Sequence, residues 1–324
     1  MFKKTQLSTI KSYISDKLRK EFIHMTIIFM ITVGIFFLIL KNISFSQVLE
    51  QIATVDIRYF VLSLVFFVLT VFFFMLRWYL FLKQSGLTSK KNAINSFMLA
   101  LPFNVIFPSK LGDFVRVFHY PTRLRTKFMG SIIVERIMDI FILLFSILIF
   151  SFITKGGFII PAVVTILFFS IGIVVLYTIE KIPLINRITI LIKASKAARY
   201  YFSKKIFTLT IFIVSLLAWF SSYGQIYYIF LSLGIDVSFG IFMIGMTIAT
   251  FISMIPITVA GMGTRETALL YFFSNYASQE TLLAAGLLTS FFRYWLLALI
   301  GLPFLVFLFY RSNNKVLNKT KTTK

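Results

Sequence analysis

Six long apolar runs limit what this chain can fold into. Each is about as long as the roughly 20 residues that an α-helix needs to cross the hydrocarbon core of a bilayer. The runs lie at residues 22–40, 59–82, 131–153, 158–179, 206–233 and 280–309. Hydrophobic residues make up 59% of the chain, well above the roughly 45–50% of soluble domains, and this excludes a water-soluble fold. We therefore predict an all-α polytopic membrane protein with six full transmembrane helices.

Two shorter apolar stretches, residues 92–107 and 239–256, do not look like simple spans. The first contains asparagine and proline and stops at Pro108, and the second ends in Pro256 and a glycine-rich turn. Backbone that is not helical at membrane depth is tolerated only where protein or a water-filled cavity satisfies its polar groups. We expect both stretches to be re-entrant or broken helices that face the protein interior.

Basic residues are concentrated between and outside the apolar runs. The 33 lysines and arginines outnumber the 11 acidic residues, and the net charge is +22. Cationic loops typically face the cytoplasm and its anionic inner-leaflet lipids, whereas nucleic acid is not expected as a partner. The basic segments are residues 1–21, 83–91, 109–127, 181–205 and 311–324. This pattern predicts a multi-pass protein of the cell membrane with cytoplasmic N and C termini.

The order of the segments suggests an internal repeat within one integral membrane domain at residues 22–310. Residues 59–153 contain a span, a broken segment, a charged glycine turn and a second span, and residues 206–309 contain the same series. The predicted orientations of the two copies are opposite. Such inverted repeats are typical of transporters with a binding site near the midplane of the bilayer.

The turn after the first broken segment carries Asp113 and Arg116 beside Gly112. Gly112 allows a tight bend, and the side chain of Asp113 is suited to capping a following helix. The functional interpretation is a charged binding turn. The alternative is an interfacial turn with a local ion pair.

A second charged cluster, Glu135, Arg136 and Asp139, lies near the start of the span at 131–153. At 1.5 Å per residue, Asp139 is roughly 12 Å along the helix from Ser131 and therefore enters the bilayer. Charged side chains at such depth are costly and usually functional. The alternative is a helix end whose charges pair with one another.

The third cluster follows the second broken segment and contains Gly261, Gly263, Arg265 and Glu266. A helix that begins here beside Arg265 would attract an anion to its N-terminus. The alternative is an external loop with exposed charges.

Arg293 lies near the middle of the 30-residue run at 280–309. An arginine at this depth should point inward and meet a carboxylate, for which Glu266, Asp139 and Glu135 are the choices. A purely structural buried pair is the alternative. Arg77 lies near the cytoplasmic end of its span, and we expect its side chain to extend to the interface.

These three motifs resemble the flippase-like, lysylphosphatidylglycerol synthase transmembrane region family. The matching residues are Gly112, Asp113 and Arg116, then Glu135, Arg136 and Asp139, then Pro256, Gly261, Gly263 and Glu266. The resemblance implies a membrane domain that translocates aminoacylated phospholipids or other lipid-linked cargo. The family more often has Glu at the position of Asp113. Only a short basic tail follows Tyr310, so the synthase activity is not expected.

The leading functional hypothesis is therefore a translocase for an anionic or aminoacylated phospholipid or lipid-linked headgroup. In it, Arg136, Arg265 and Arg293 neutralise a phosphate, and Glu135, Asp139 and Glu266 pair with them when the site is empty. One alternative is a membrane enzyme, or an accessory subunit that works with a lipid-synthesis enzyme. Another is a transporter for a soluble anion. With no cysteine and two distant histidines, we expect no metal and no cofactor.

Overall fold

The computed structural model describes residues 26–41, 43–154, 189–255 and 257–307, with five single positions between 163 and 174. No strand occurs among them, which confirms the all-α prediction. The N-terminal basic segment, the C-terminal tail and nearly all of the predicted span at 158–179 lie outside the described residues.

The described residues form twelve helices. The bounds are α1 Thr26–Leu40, α2 Phe45–Ala53, α3 Ile57–Gln84, α4 Lys90–Ala100, α5 Phe103–Ile106, α6 Val115–Phe118, α7 Thr122–Ile153, α8 Thr189–Ser203, α9 Lys205–Ser232, α10 Phe239–Met254, α11 Thr264–Phe272 and α12 Gln279–Phe307. Short 3₁₀ turns cover Pro108–Phe114 and Val259–Gly261. A π-helical turn, Phe291–Leu296, interrupts α12.

The prediction of six full spans is confirmed only in part. Within the described residues, three helices are long and apolar enough to cross a membrane: α3, α9 and α12. The number is up to four if α1 and α2, which meet at 85°, count as one bent span. The predicted span at 131–153 is helical throughout, because it is the greater part of the 32-residue α7.

Both predicted broken segments are interrupted just before a proline. Phe107 and Ile255 have extended backbones, with ψ of 133° and 124°, and each precedes a proline in the sequence. Proline disfavours helical geometry in the residue before it, so the two helices end there. We call residues 107–118 the first break and residues 257–266 the second break. The α5 helix and the 3₁₀ turn after it contact the turn at Val259–Gly261, which means that the two breaks meet inside the protein.

The helices α3 and α9 pack side by side and form the central pair of the bundle. Gly224 makes this approach possible, because a Cβ atom there would lie 2.5 Å from the Phe66 ring. Trp219 and Tyr223 of α9 belong to the largest apolar core together with residues of α10 and α12. This core positions the charged part of α7 against α3.

A hydrogen bond attaches α1 to the second break. The Val259 amide donates to Thr32 Oγ1 at 2.9 Å, and Thr32 is buried. The broken backbone therefore finds a side-chain acceptor on a neighbouring helix, as non-helical backbone inside a membrane requires.

Candidate functional site

Glu135 and Asp139 lie on one face of α7, where they meet Arg77 of α3. Arg77 Nη1 donates to Asp139 Oδ1 at 2.6 Å, and Arg77 Nη2 lies 3.5 Å from Glu135 Oε2. All three side chains are at most 2% exposed. Our expectation that Arg77 extends to the interface is wrong, because its guanidinium is held in the interior by two carboxylates.

Two residues of α9 complete the surroundings of this pair. Ser215 Oγ accepts a hydrogen bond from Arg77 at 3.1 Å, and Trp219 Nε1 donates to Asp139 Oδ1 at 2.8 Å. These contacts fix the orientation of both charged groups. Additional hydrogen bonds of this kind help to offset the desolvation of a buried ion pair.

The first break supplies the next layer of charges. Arg116 Nη2 lies 3.0 Å from Glu135 Oε2 and 3.1 Å from Asp113 Oδ2. Arg136 Nη2 lies 2.9 Å from the same Asp113 oxygen and 3.4 Å from Asp139 Oδ2. Gly112 permits this arrangement, since a Cβ atom there would lie 2.5 Å from the backbone of Phe103 and Asn104.

We call the three arginines and three carboxylates the ion-pair network: Arg77, Arg116, Arg136, Asp113, Glu135 and Asp139. Its formal charges balance. Three of its buried atoms, Glu135 Oε1, Arg77 Nε and Arg136 Nε, have no hydrogen-bond partner among the described residues. The network therefore keeps one free acceptor and two free donors. The self-paired helix end and the isolated interfacial turn are both excluded, because the pairs join α3, α7 and the first break.

The second break holds a separate, fully buried pair. Arg265 Nη2 lies 3.0 Å from Glu266 Oε1, and the two side chains have no exposed surface. Glu266 Oε2 accepts the Gly263 amide at 2.6 Å, and its other oxygen accepts Ser290 Oγ at 2.5 Å. These contacts exclude an external loop with exposed charges.

Glu266 also occupies the place that we expected an anionic ligand to take. Its carboxylate caps the N-terminus of α11 and neutralises Arg265, so the positive end of the helix already has its anion. Positive φ angles at Gly261 and Gly263, 73° and 86°, allow the chain to turn back on itself. The structure therefore supports a buried ion pair that stabilises the turn, rather than an open anion-binding site.

Arg293 extends from the π-helical turn of α12 towards α9. Its guanidinium lies 5.5 Å from the centre of the Trp219 ring, a cation–π geometry. Within the described residues it forms no ion pair, so the predicted partnership with Glu266, Asp139 or Glu135 is wrong. Asp139 still acts on Arg293 electrostatically, and Trp219, which contacts Arg293, donates to Asp139.

Two cavities border the ion-pair network. The first has a volume of ≈ 80 Å³, and its polar lining includes Arg77, Asp113, Arg116, Glu135, Arg136 and Arg293. The second has a volume of ≈ 170 Å³ and is lined by Asp139, Trp219 and Thr250, among others. Three residues, Arg136, Arg293 and Tyr294, line both cavities and form the wall between them.

The third cluster lies behind this wall. Arg265 stacks at 5.5 Å from the Tyr294 ring, whereas neither cavity has Gly261, Gly263, Arg265 or Glu266 in its lining. The structure thus brings Asp113, Arg116, Glu135, Arg136, Asp139 and Arg293 together at the cavities and places the glycine turn one layer away.

Sequence reasoning missed four residues of the site: Arg77, Asn104, Trp219 and Tyr294. Arg77 carried a usable signal, since it is the one charge inside an otherwise apolar run at 59–82. Asn104 donates to Asp113 Oδ1 at 3.0 Å. The two aromatic residues resemble many others in a chain that is 18% aromatic, and only packing distinguishes them.

Residues 25–301 match the family described as lysylphosphatidylglycerol synthase TM region. The chain belongs to this family. The match covers most of the chain and confirms the resemblance drawn from the three charged motifs. Members of the family are membrane domains associated with lipid synthesis or lipid flipping. No curated protein matches the sequence significantly.

Proposed function

We propose that this protein is a lipid translocase that moves a charged headgroup between the leaflets. One observation carries the proposal: a balanced network of six charges, five of them buried and the sixth, Arg136, partly exposed, borders two cavities that share a single wall. Charges inside a membrane are kept at a considerable cost and typically mark a transport pathway.

The network supports two alternative arrangements because its groups have more than one partner within reach. Arg116 lies between Asp113 and Glu135, at 3.1 and 3.0 Å. Arg136 has Asp113 at 2.9 Å and Asp139 at 3.4 Å. An exchange of partners leaves each carboxylate neutralised. Such an element has two discrete states, and a ligand that binds one of them better shifts the population.

The lining of the first cavity suits an amphipathic substrate. Its charged side is formed by α7 and the first break, and its other side carries apolar residues such as Phe67, Phe97 and Leu297. A headgroup would contact the arginines while the chains remain in an apolar environment. This mixture favours a lipid over a soluble anion, for which an entirely polar pathway is expected.

The broken segments supply the moving parts in this proposal. Each ends a short helix at a proline and meets the other near the network, so a small change at one break reaches the other. Broken helices at an inverted repeat are the usual site of alternating access. The basic loops would hold anionic inner-leaflet lipids close to the entrance.

An enzyme, or an accessory subunit beside a lipid-synthesis enzyme, is the second candidate. The free Oε1 of Glu135 in a dry setting favours it, because a carboxylate oxygen of this kind is suited to act as a base. Incubation of the purified protein with labelled lipids, followed by mass spectrometry of the products, separates the two functions. A new lipid species would support the enzyme and contradict pure translocation.

The translocase is tested by leaflet exchange in proteoliposomes that contain the wild type, Arg136→Gln or Arg58→Gln. Arg136 is 27% exposed to the cavity, so its loss changes the charge without leaving a closed void. Arg58, with an 85% exposed side chain, is the matched control. We expect exchange to fall about tenfold or more in Arg136→Gln and to stay unchanged in Arg58→Gln. Equal rates in all three would contradict the proposed pathway.

A further inference from the structure

The π-helical turn of α12 places Arg293 in an unusual position. The span at Gln279–Phe307 is otherwise α-helical, and Phe291–Leu296 widens into a π turn with Arg293 at its centre. Such turns are rare and are found mainly at functional sites, because they direct a side chain away from the regular helical position. Here the turn brings a cation to the wall between the two cavities.

The charges that line the cavities do not balance. Four arginines face three carboxylates among the described lining residues, which leaves a formal charge of +1. The six members of the ion-pair network neutralise one another, so the excess belongs to Arg293. A lone charge in a low-dielectric interior is costly, and an anion of charge −1 would remove that cost.

The donors at the wall can receive such an anion. Arg293 and Arg136 reach both cavities, and Arg136 Nε is buried without a partner in the described part of the chain. Trp219 packs against Arg293 while its indole N–H is engaged by Asp139 at 2.8 Å, so the aromatic support of the cation is fixed. Arginine is the residue best suited to bind phosphate oxygens in planar, two-point geometry.

We infer that the site selects a headgroup with one net negative charge, and that its phosphodiester binds between Arg293 and Arg136. This inference rests on the proposed translocase and narrows its substrate class. A headgroup such as that of phosphatidylglycerol, with a charge of −1, neutralises the net charge of +1 on the residues that line the cavities. A zwitterionic headgroup leaves the site at +1, and a lysylated headgroup of charge +1 raises it to +2.

The test measures binding and exchange separately. Binding of fluorescent short-chain phosphatidylglycerol, phosphatidylcholine and lysyl-phosphatidylglycerol to the full chain in neutral detergent is followed by anisotropy. We expect phosphatidylglycerol to bind about tenfold more tightly than either of the others. Equal affinities, or tightest binding of the lysylated lipid, would overturn the inference.

Variants assign the preference to Arg293. In Arg293→Gln the advantage of phosphatidylglycerol should disappear, in Arg293→Lys most of it should return, and in Arg58→Gln it should be unchanged. Size-exclusion profiles identify variants that fail to fold. The comparison of the three lipids with the wild-type protein does not depend on these variants. A preference that persists in folded Arg293→Gln would contradict the role of this residue.

A soluble competitor distinguishes a lipid from a free phosphodiester as the ligand. Glycerophosphoglycerol, which is phosphatidylglycerol without its acyl chains, should compete only weakly if the ligand is a lipid. Competition equal to that of the lipid would identify a soluble phosphodiester and overturn the lipid assignment. Exchange assays with the same three lipids show whether translocation fails independently: selective binding without exchange of any lipid would contradict the proposed function and leave the charge selection standing.

Discussion

At the residue scale, the buried ion pairs of Arg77 could not be predicted from the sequence. It lies five positions before the end of the apolar run at 59–82, and this place predicted a side chain that extends to the interface. Its partner Asp139 is 62 positions away in the chain, and no local pattern links the two. Glu135, Arg136 and Asp139 were predictable, because charges inside an apolar run are unusual wherever the run folds.

The Arg77 and Asp139 pair should be strongly coupled. Arg77→Gln leaves two dry carboxylates with one cation fewer, and we expect the free energy of unfolding to fall by about 3 kcal/mol. Adding Asp139→Asn restores the charge balance, so the double variant should lose about 1–3 kcal/mol less than the sum of the single variants. Unfolding in mixed detergent micelles measures all three.

The chain offers a matched control for this comparison of single and double variants. Arg58 and Asp56 form an ion pair at 3.1 Å, but their side chains are 85% and 31% exposed. The same substitutions there should show a coupling of less than about 1 kcal/mol. A coupling at Arg77 and Asp139 as small as the control would mean that the buried network does not stabilise the fold.

At the element scale, the breaks could be predicted but their role could not. Proline and asparagine in short apolar stretches indicated where helices end, and the structure places the ends at Phe107 and Ile255. The prediction of an anion-binding site at the second break was wrong, because the carboxylate of Glu266 occupies that position. Whether an acidic side chain points outward or caps its own helix depends on packing that spacing alone does not reveal.

The second break depends on the backbone of Gly261. Its φ is +73°, and an added Cβ atom would lie 2.6 Å from the Ser253 carbonyl oxygen. Gly261→Ala should therefore lower the free energy of unfolding by about 1–3 kcal/mol. Gly34→Ala is the control, since Gly34 is helical with nothing within 4 Å. Equal stability of the two variants in a thermal melt would contradict a strained, closely packed turn.

The attachment of α1 to the second break has its own test. Thr32→Val keeps the shape of the side chain but leaves the Val259 amide without its acceptor, at a cost of about 1–3 kcal/mol. Thr32→Ser keeps the hydroxyl and should stay within about 1 kcal/mol of the wild type. The ratio of the two melting shifts identifies the hydrogen bond. A larger loss for the serine variant would assign the effect to packing of the methyl group instead.

At the scale of the whole molecule, the sequence predicts the fold class, the membrane location and the family. Three predicted spans, at 59–82, 206–233 and 280–309, appear as long apolar helices. The order of long helix, broken segment, turn and long helix is present in α3 to α7 and again in α9 to α12. The inverted orientation and the sidedness remain predictions.

The proposed function depends on an arrangement that only the folded chain displays. Charges from α3, α7, α12 and the first break converge on two cavities, although they are up to 216 positions apart between Arg77 and Arg293. Each motif in the sequence was ambiguous when considered alone. Together they form a neutral network with one additional cation at the wall.

The initial rate of leaflet exchange of labelled phosphatidylglycerol is the most direct test of lipid translocation by this protein. It is measured in wild-type proteoliposomes and in protein-free liposomes of the same composition, over a series of protein densities. We predict a rate that exceeds the protein-free rate and rises in proportion to the number of protein molecules per vesicle. A rate equal to that of protein-free liposomes, with correctly folded protein at every density, would contradict it.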